Sequence, residues 1–196
     1  MKRYTTLFLT LFLLFAWCPA AGFADGRPGN WARPLTVDGV PNLYQVSETL
    51  FRSAQPSEEG MKNLRKMGIV TIINLRSAHS DLDEIGEINL NYESVPMKAW
   101  RPRRRHALRF LEIVSDPGRG PYLVHCQHGS DRTGAVCALY RVVVQGWSKA
   151  DAIEEMKKGG YGFHRIWSNL PRWIRKLNIE LIRREIGLRS AKRRSR

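Results

Sequence analysis

Cysteine is scarce here, with three in 196 residues. A small secreted domain stapled by disulfides carries more, so stability must come from a packed core. Acid is scarce too: 18 Asp and Glu stand against 32 Lys and Arg, a formal charge of +14. Such a surface attracts anions, whether phosphorylated ligands, nucleic acid or anionic membrane. Past the first two dozen residues no apolar run is long enough to span a bilayer. No internal repeat is found, which excludes a repeat architecture.

What is present begins with a leader. Lys2 and Arg3 precede an almost unbroken apolar run, Leu7 to Trp17, and Gly22 and Ala24 form an A-x-A-like site before Asp25. Residues 1–24 are expected to be a secretory signal peptide, making the protein exported, periplasmic or secreted. Nucleic acid is then not an expected partner, and a monomer is expected. Loss of the leader removes Cys18 and leaves Cys126 and Cys137, read as one reactive thiol and one core thiol.

Residues 25–42 read as an extended N-terminal arm rich in Gly, Pro and Asn, 43–187 as the domain, and 188–196 as a basic C-terminal tail. "NLYQVS" and "LFRSAQP" read as two short strands around a turn. Ser57 caps a helix through Met61, Leu64 and Met67, ended by Gly68. "IVTIINL" and "PYLVHC" are apolar runs of strands buried on both faces. Residues 77–91 read as a polar loop with one short helix, and "YESVPM" as a further strand. Pro102 starts a helix with Leu108, Leu111 and Val114 inward. Thr133 to Val144 is a strong helix, Ser148 caps another, and Ser168 to Ile186 reads as one long amphipathic segment. Strands alternating with helices predict a single compact α/β domain around a largely parallel sheet flanked by helices.

The chemistry concentrates in "HCQHGSDRTG", His125 to Gly134. A loop between a buried strand and a helix start points backbone N–H groups into one concavity, an anion site at the positive helix end. Gly129 allows the curl. The same field favours the thiolate, so Cys126 becomes a nucleophile aimed at phosphorus. Arg132 binds two equatorial oxygens through its planar fork, where charge spreads in the transition state. Thr133 donates to the sulfur as the thiolate leaves.

This Cys-x5-Arg-Thr arrangement resembles the HCxxGxxR[ST] signature of cysteine-dependent protein tyrosine and dual-specificity phosphatases. His125, Cys126, Gly129, Arg132 and Thr133 match it. The likeness runs from about Tyr44 to Trp173, and "LFRSAQP", "GIVTIINLR" and "GWSKADAIEEM" look like its exported bacterial branch. The resemblance implies a phosphomonoesterase with a phosphocysteine intermediate and no cofactor, and His79, His106 and His164 show no metal-ligand spacing with the cysteines, so no metal is expected. It implies phosphate binding by Gln127, His128, Gly129, Ser130, Asp131 and Arg132. Phosphotyrosine protein is the default substrate, with inositol phosphate or phosphoinositide as the alternative. A phosphate-binding pseudophosphatase is a further reading.

The family's usual leaving-group acid is an aspartate some thirty residues before the cysteine. That region here is "VPMKAWRPRRR", without a carboxylate. Asp131 is one replacement, since "DRT" is similar to the loop of myotubularin-like phosphatases. Its alternative role is to orient Arg132 or cap the next helix. A second source is the cluster Asp81, Asp83 and Glu84. His125 is expected to bond behind the loop. Arg101, Arg103, Arg104, Arg105 and Arg109 form either a solvated helix start or a rim for polyanions, and Trp100 beside them is read as a core anchor, with stacking on a substrate ring as the alternative.

Overall fold

The computed structural model describes residues 27–194, with side chains to 187. The expected signal peptide therefore lies outside the described residues, as do the side chains of the basic tail. Six strands form one sheet: β1 (Arg33–Pro34), β2 (Tyr44–Gln45), β3 (Leu50–Ser53), β4 (Thr71–Asn74), β5 (Asn91–Ser94) and β6 (Tyr122–His125). Their order is β1-β2-β3-β6-β4-β5, with β1, β2 and β3 antiparallel and β3, β6, β4 and β5 parallel.

The two central strands, β4 and β6, are buried throughout. Alternation divides their side chains between two cores. Ile72 and Leu123 face a smaller core under α1 (Glu58–Lys66) and α2 (Leu82–Ile85), while Ile73 and Val124 face the larger one. The larger core is built with α3 (Arg104–Val114), α4 (Arg132–Val143), α5 (Lys149–Lys158), α6 (Asn169–Lys176) and α7 (Ile179–Arg194). At its centre, α4 is buried from Thr133 to Val142. None of the helices among the described residues is long and apolar enough to cross a membrane.

Three local readings change. The segment taken as an arm is docked: Ala32 and Val40 are buried and β1 pairs with β2. Pro102 lies before α3, whose first residue is Arg104. The long C-terminal segment is two helices, because Leu177 turns extended (φ −67°, ψ 135°) and the Asn178 side chain caps α7 by accepting from the Leu181 N–H at 3.0 Å. Backbone helix then continues to Arg194, beyond the expected start of the tail.

Candidate active site

Parallel β6 ends at His125 and α4 starts at Arg132, so residues 126–131 form the loop between a strand end and a helix start. Its carbonyls are tied to their surroundings. Gln127 O accepts from the Gln55 N–H (3.3 Å), His128 O from Asn42 Nδ2 (2.8 Å) and Gly129 O from Arg52 Nη2 (2.6 Å). Ser130 O and Asp131 O accept from the N–H groups of Gly134 and Ala135 in the first turn of α4. In contrast, none of the N–H groups of 127–132 donates to an acceptor among the described residues. A trans peptide holds its C=O and N–H on opposite sides, so anchoring the carbonyls outward turns the N–H groups inward. The loop is thus a ring of unused donors at a helix N-terminus, which is an anion cradle.

Gly129 is required twice over. Its φ is +72°, and a Cβ there would stand 2.6 Å from the backbone of Ser53 and Ala54. Cys126 is 2% exposed at the base of the loop. The Thr133 hydroxyl is buried with no hydrogen-bond partner among the described residues, so the expected bond to the sulfur is not formed in this state.

Beside the loop lies a cleft of about 450 Å³. It is lined by Gln127, His128, Asp131 and Arg132 of the loop, by Arg76 and Lys98, and by Trp100, His164, Ile166 and Trp167. Trp100 and Trp167 stack with ring centroids 6.4 Å apart. Trp100 is 64% exposed, so it is a rim residue and not the core anchor expected.

Asp131 neither caps α4 nor bonds Arg132. Its Oδ1 accepts from the His164 backbone N–H (2.9 Å), and Oδ2 lies 2.9 Å from His164 Nδ1. The second acid source is also elsewhere. Asp81 is fully buried behind the loop, with Oδ2 2.7 Å from His125 Nε2 and Oδ1 accepting from Gln55 Nε2. Burial raises the Asp81 carboxyl, but the hydrogen bond and charge of His125, helped by Gln55 and His79, outweigh it and hold it below the usual carboxylate range. Glu84 pairs with His79 at 3.0 Å, and Asp83 belongs to a separate surface hollow beside α1. His79, Asp81 and Glu84 do lie together, but both Asp81 oxygens are already taken by protein donors. Cys137 is buried in α4, and burial pushes its thiol up to about 11, as suits a core thiol.

A family model described as "DSP-PTPase phosphatase fused to NAD+ Kinase" matches residues 36–169. The dual specificity protein phosphatase TpbA of Pseudomonas aeruginosa is 35% identical over 176 residues, 89% of this chain and 79% of TpbA. The chain belongs to the dual-specificity phosphatase family. The crystal structure of a TpbA variant in complex with pTyr superposes with a TM-score of 0.74 at 31% identity, covering 82% of this chain and 98% of that one. The catalytic core of the PP-IP phosphatase SIW14 from S. cerevisiae shares the fold, with a TM-score of 0.69 at 22% identity and coverage of 79% and 96%.

In this phosphatase the structure brings together the loop residues named from the sequence, but the cradle rests on residues that were not. Buried Arg52 supports Gly129 from β3, and Asn42 spans His128 O and Tyr161 O. Ser130 Oγ donates to Tyr161 O at 2.6 Å. Only Arg52 left a trace in the sequence, as a cation among the inward residues of "LFRS".

Proposed function

We propose that this phosphatase hydrolyses phosphotyrosine in proteins through a phosphocysteine at Cys126. The ring of unpartnered N–H groups from 127 to 132 carries this reading, because it matches three equatorial phosphoryl oxygens and leaves the sulfur beneath them. The Cys126 thiolate attacks phosphorus while the N–H ring and Arg132 take up the charge that spreads over those oxygens. Thr133 supplies its free hydroxyl to the departing sulfur when water attacks. The stacked Trp100 and Trp167 give the cleft an aromatic lining for the tyrosine ring. TpbA, the relative seen with pTyr, supports the same substrate. The leader supports export, which fractionation of cells carrying the full chain would test.

A second reading, a polyphosphorylated small molecule such as an inositol phosphate, rests on one observation. A hollow of about 340 Å³ adjoins the cleft, shares Ser77 and Lys98 with it, and is lined by Arg101, Arg103 and Arg105. None of these three arginines has a carboxylate within ion-pair distance among the described residues. Arg104 and Arg109, by contrast, pair with Glu185 and Glu93 and so belong to the scaffold.

The test is phosphate release from a phosphotyrosine peptide, an inositol polyphosphate and p-nitrophenyl phosphate, for the wild type and Cys126→Ser. Activity on the peptide that vanishes in Cys126→Ser supports the first reading. Preference for the inositol polyphosphate, lost in Arg101→Ala/Arg105→Ala while p-nitrophenyl phosphate turnover stays, moves the assignment to the second. No release from any substrate by the wild type rejects both.

A further inference from the structure

The segment 95–105 has no carboxylate, and Asp131 is the one acid lining the cleft among the described residues. Yet Asp131 does not present a free oxygen there. Its side chain is 8% exposed, and both oxygens are engaged by His164. The His164 ring is 51% exposed and lines the same cleft as Arg132. We propose that His164, held by Asp131, is the general acid and base of this phosphatase; the assignment rests on the phosphocysteine reading above.

The geometry supports this in three steps. First, a carboxylate 2.9 Å from Nδ1 makes that nitrogen the donor, so Nε2 is the exchanging atom. Second, the ring is rigidly placed. Its own backbone N–H is bound to Asp131, and Tyr161 O just before it accepts from Ser130 Oγ and Asn42 Nδ2. The acid is thereby fixed to the phosphate loop instead of riding on a separate closing loop. Third, the charged and titratable groups that share the cleft with the His164 ring are Asp131, Arg132, Arg76, Lys98 and His128, whose ring lies 5.6 Å away edge-on.

The proton accounting closes. As sulfur bonds to phosphorus and the ester P–O bond breaks, Nε2–H of the imidazolium protonates the leaving oxygen. Neutral Nε2 then takes a proton from the water that attacks phosphorus. The P–S bond breaks, and thiolate, imidazolium and inorganic phosphate result. Asp131 touches no reacting atom and is a positioning residue.

The experiment compares phenyl phosphate, a poor leaving group, with p-nitrophenyl phosphate, a good one, across pH. In His164→Asn, turnover of phenyl phosphate is expected to fall about 100-fold or more, with a much smaller loss on p-nitrophenyl phosphate. The fall in wild-type kcat towards high pH should also disappear. Asp131→Asn should show the same leaving-group bias more weakly. Thermal melting and inhibition by inorganic phosphate show that each variant is folded with its cradle intact; His164→Gln serves if Asn disturbs the fold. Equal losses on both substrates, or a retained high-pH limb in folded His164→Asn, would overturn the assignment while leaving the phosphatase reading in place. A wild type inactive on both would remove that reading itself.

Discussion

Arg52 Nη2 donates to the Gly129 carbonyl at 2.6 Å, from a position that is 2% exposed. The guanidinium also lies 3.6 Å from the Tyr161 ring centroid, so one buried cation from β3 fastens both the phosphate loop and the segment that carries His164. Arg52→Leu should leave the Gly129 carbonyl unsatisfied, costing about 1–3 kcal/mol. Inorganic phosphate should inhibit this variant more weakly, which steady-state inhibition measures. Unchanged phosphate inhibition would separate Arg52 from the cradle.

Gly129→Ala meets two penalties. The left-handed φ costs about 1–2 kcal/mol for a residue with a Cβ, and that Cβ meets the β3 backbone at 2.6 Å. Because the neighbour is backbone, the loop itself must move. A lowered melting temperature together with near-complete loss of turnover is expected. Full activity would show that the loop tolerates a shift.

Glu155 joins the docked N-terminal segment to the core. Its Oε1 accepts from the Ala32 N–H and from Arg141 Nη2, both at 2.7 Å, and from the Tyr161 hydroxyl at 3.1 Å. Oε2 accepts from Arg141 Nε. Burial first, and then the Glu155 charge and hydrogen bond, push the Tyr161 hydroxyl's pKa well up, so it stays a donor. Glu155→Ala removes one partner of a buried pair and should cost about 3–5 kcal/mol. Denaturant titration measures it, and proteolysis should begin within 28–34.

The Asp81–His125 contact predicts how stability depends on acid. The Asp81 carboxyl is held below its ordinary value of 3.8, so it stabilises the fold at pH above that value and ceases to as pH falls through its lowered pKa. In Asp81→Asn this dependence is gone. The variant should be less stable at neutral pH, and the gap to wild type should narrow below about pH 4. Melting curves between pH 7 and 2, in about those limits, check it. A gap that is constant with pH would contradict the charged contact.

Trp100 is expected to discriminate substrates. Trp100→Ala should lower kcat/KM on a phosphotyrosine peptide by up to about tenfold, the worth of one aromatic stack. An alkyl phosphate should be unaffected. Equal losses on both would assign Trp100 to shaping the cleft.

The phosphate loop was legible in the sequence because its determinants are local. A buried strand, a glycine, a cysteine and an arginine at six residues' distance enforce one curl, and backbone dipoles do the rest. The helix over 132–143 and the cap at Ser57 followed from the same short-range rules. Leu177 was misread because periodicity continues across the break, and only the Asn178 side chain marks it.

By itself, then, the sequence determined the nucleophile loop, the alternation of strands and helices, and the absence of an acid from residues 95–105. Tertiary structure alone decided what the loop leans on. His164 lies 33 residues from Asp131, His125 lies 44 from Asp81, and Arg52 lies 77 from Gly129. The last two pairs meet because β6 inserts between β3 and β4, and strand order is set by the burial of two whole sheet faces, not by any short stretch of chain.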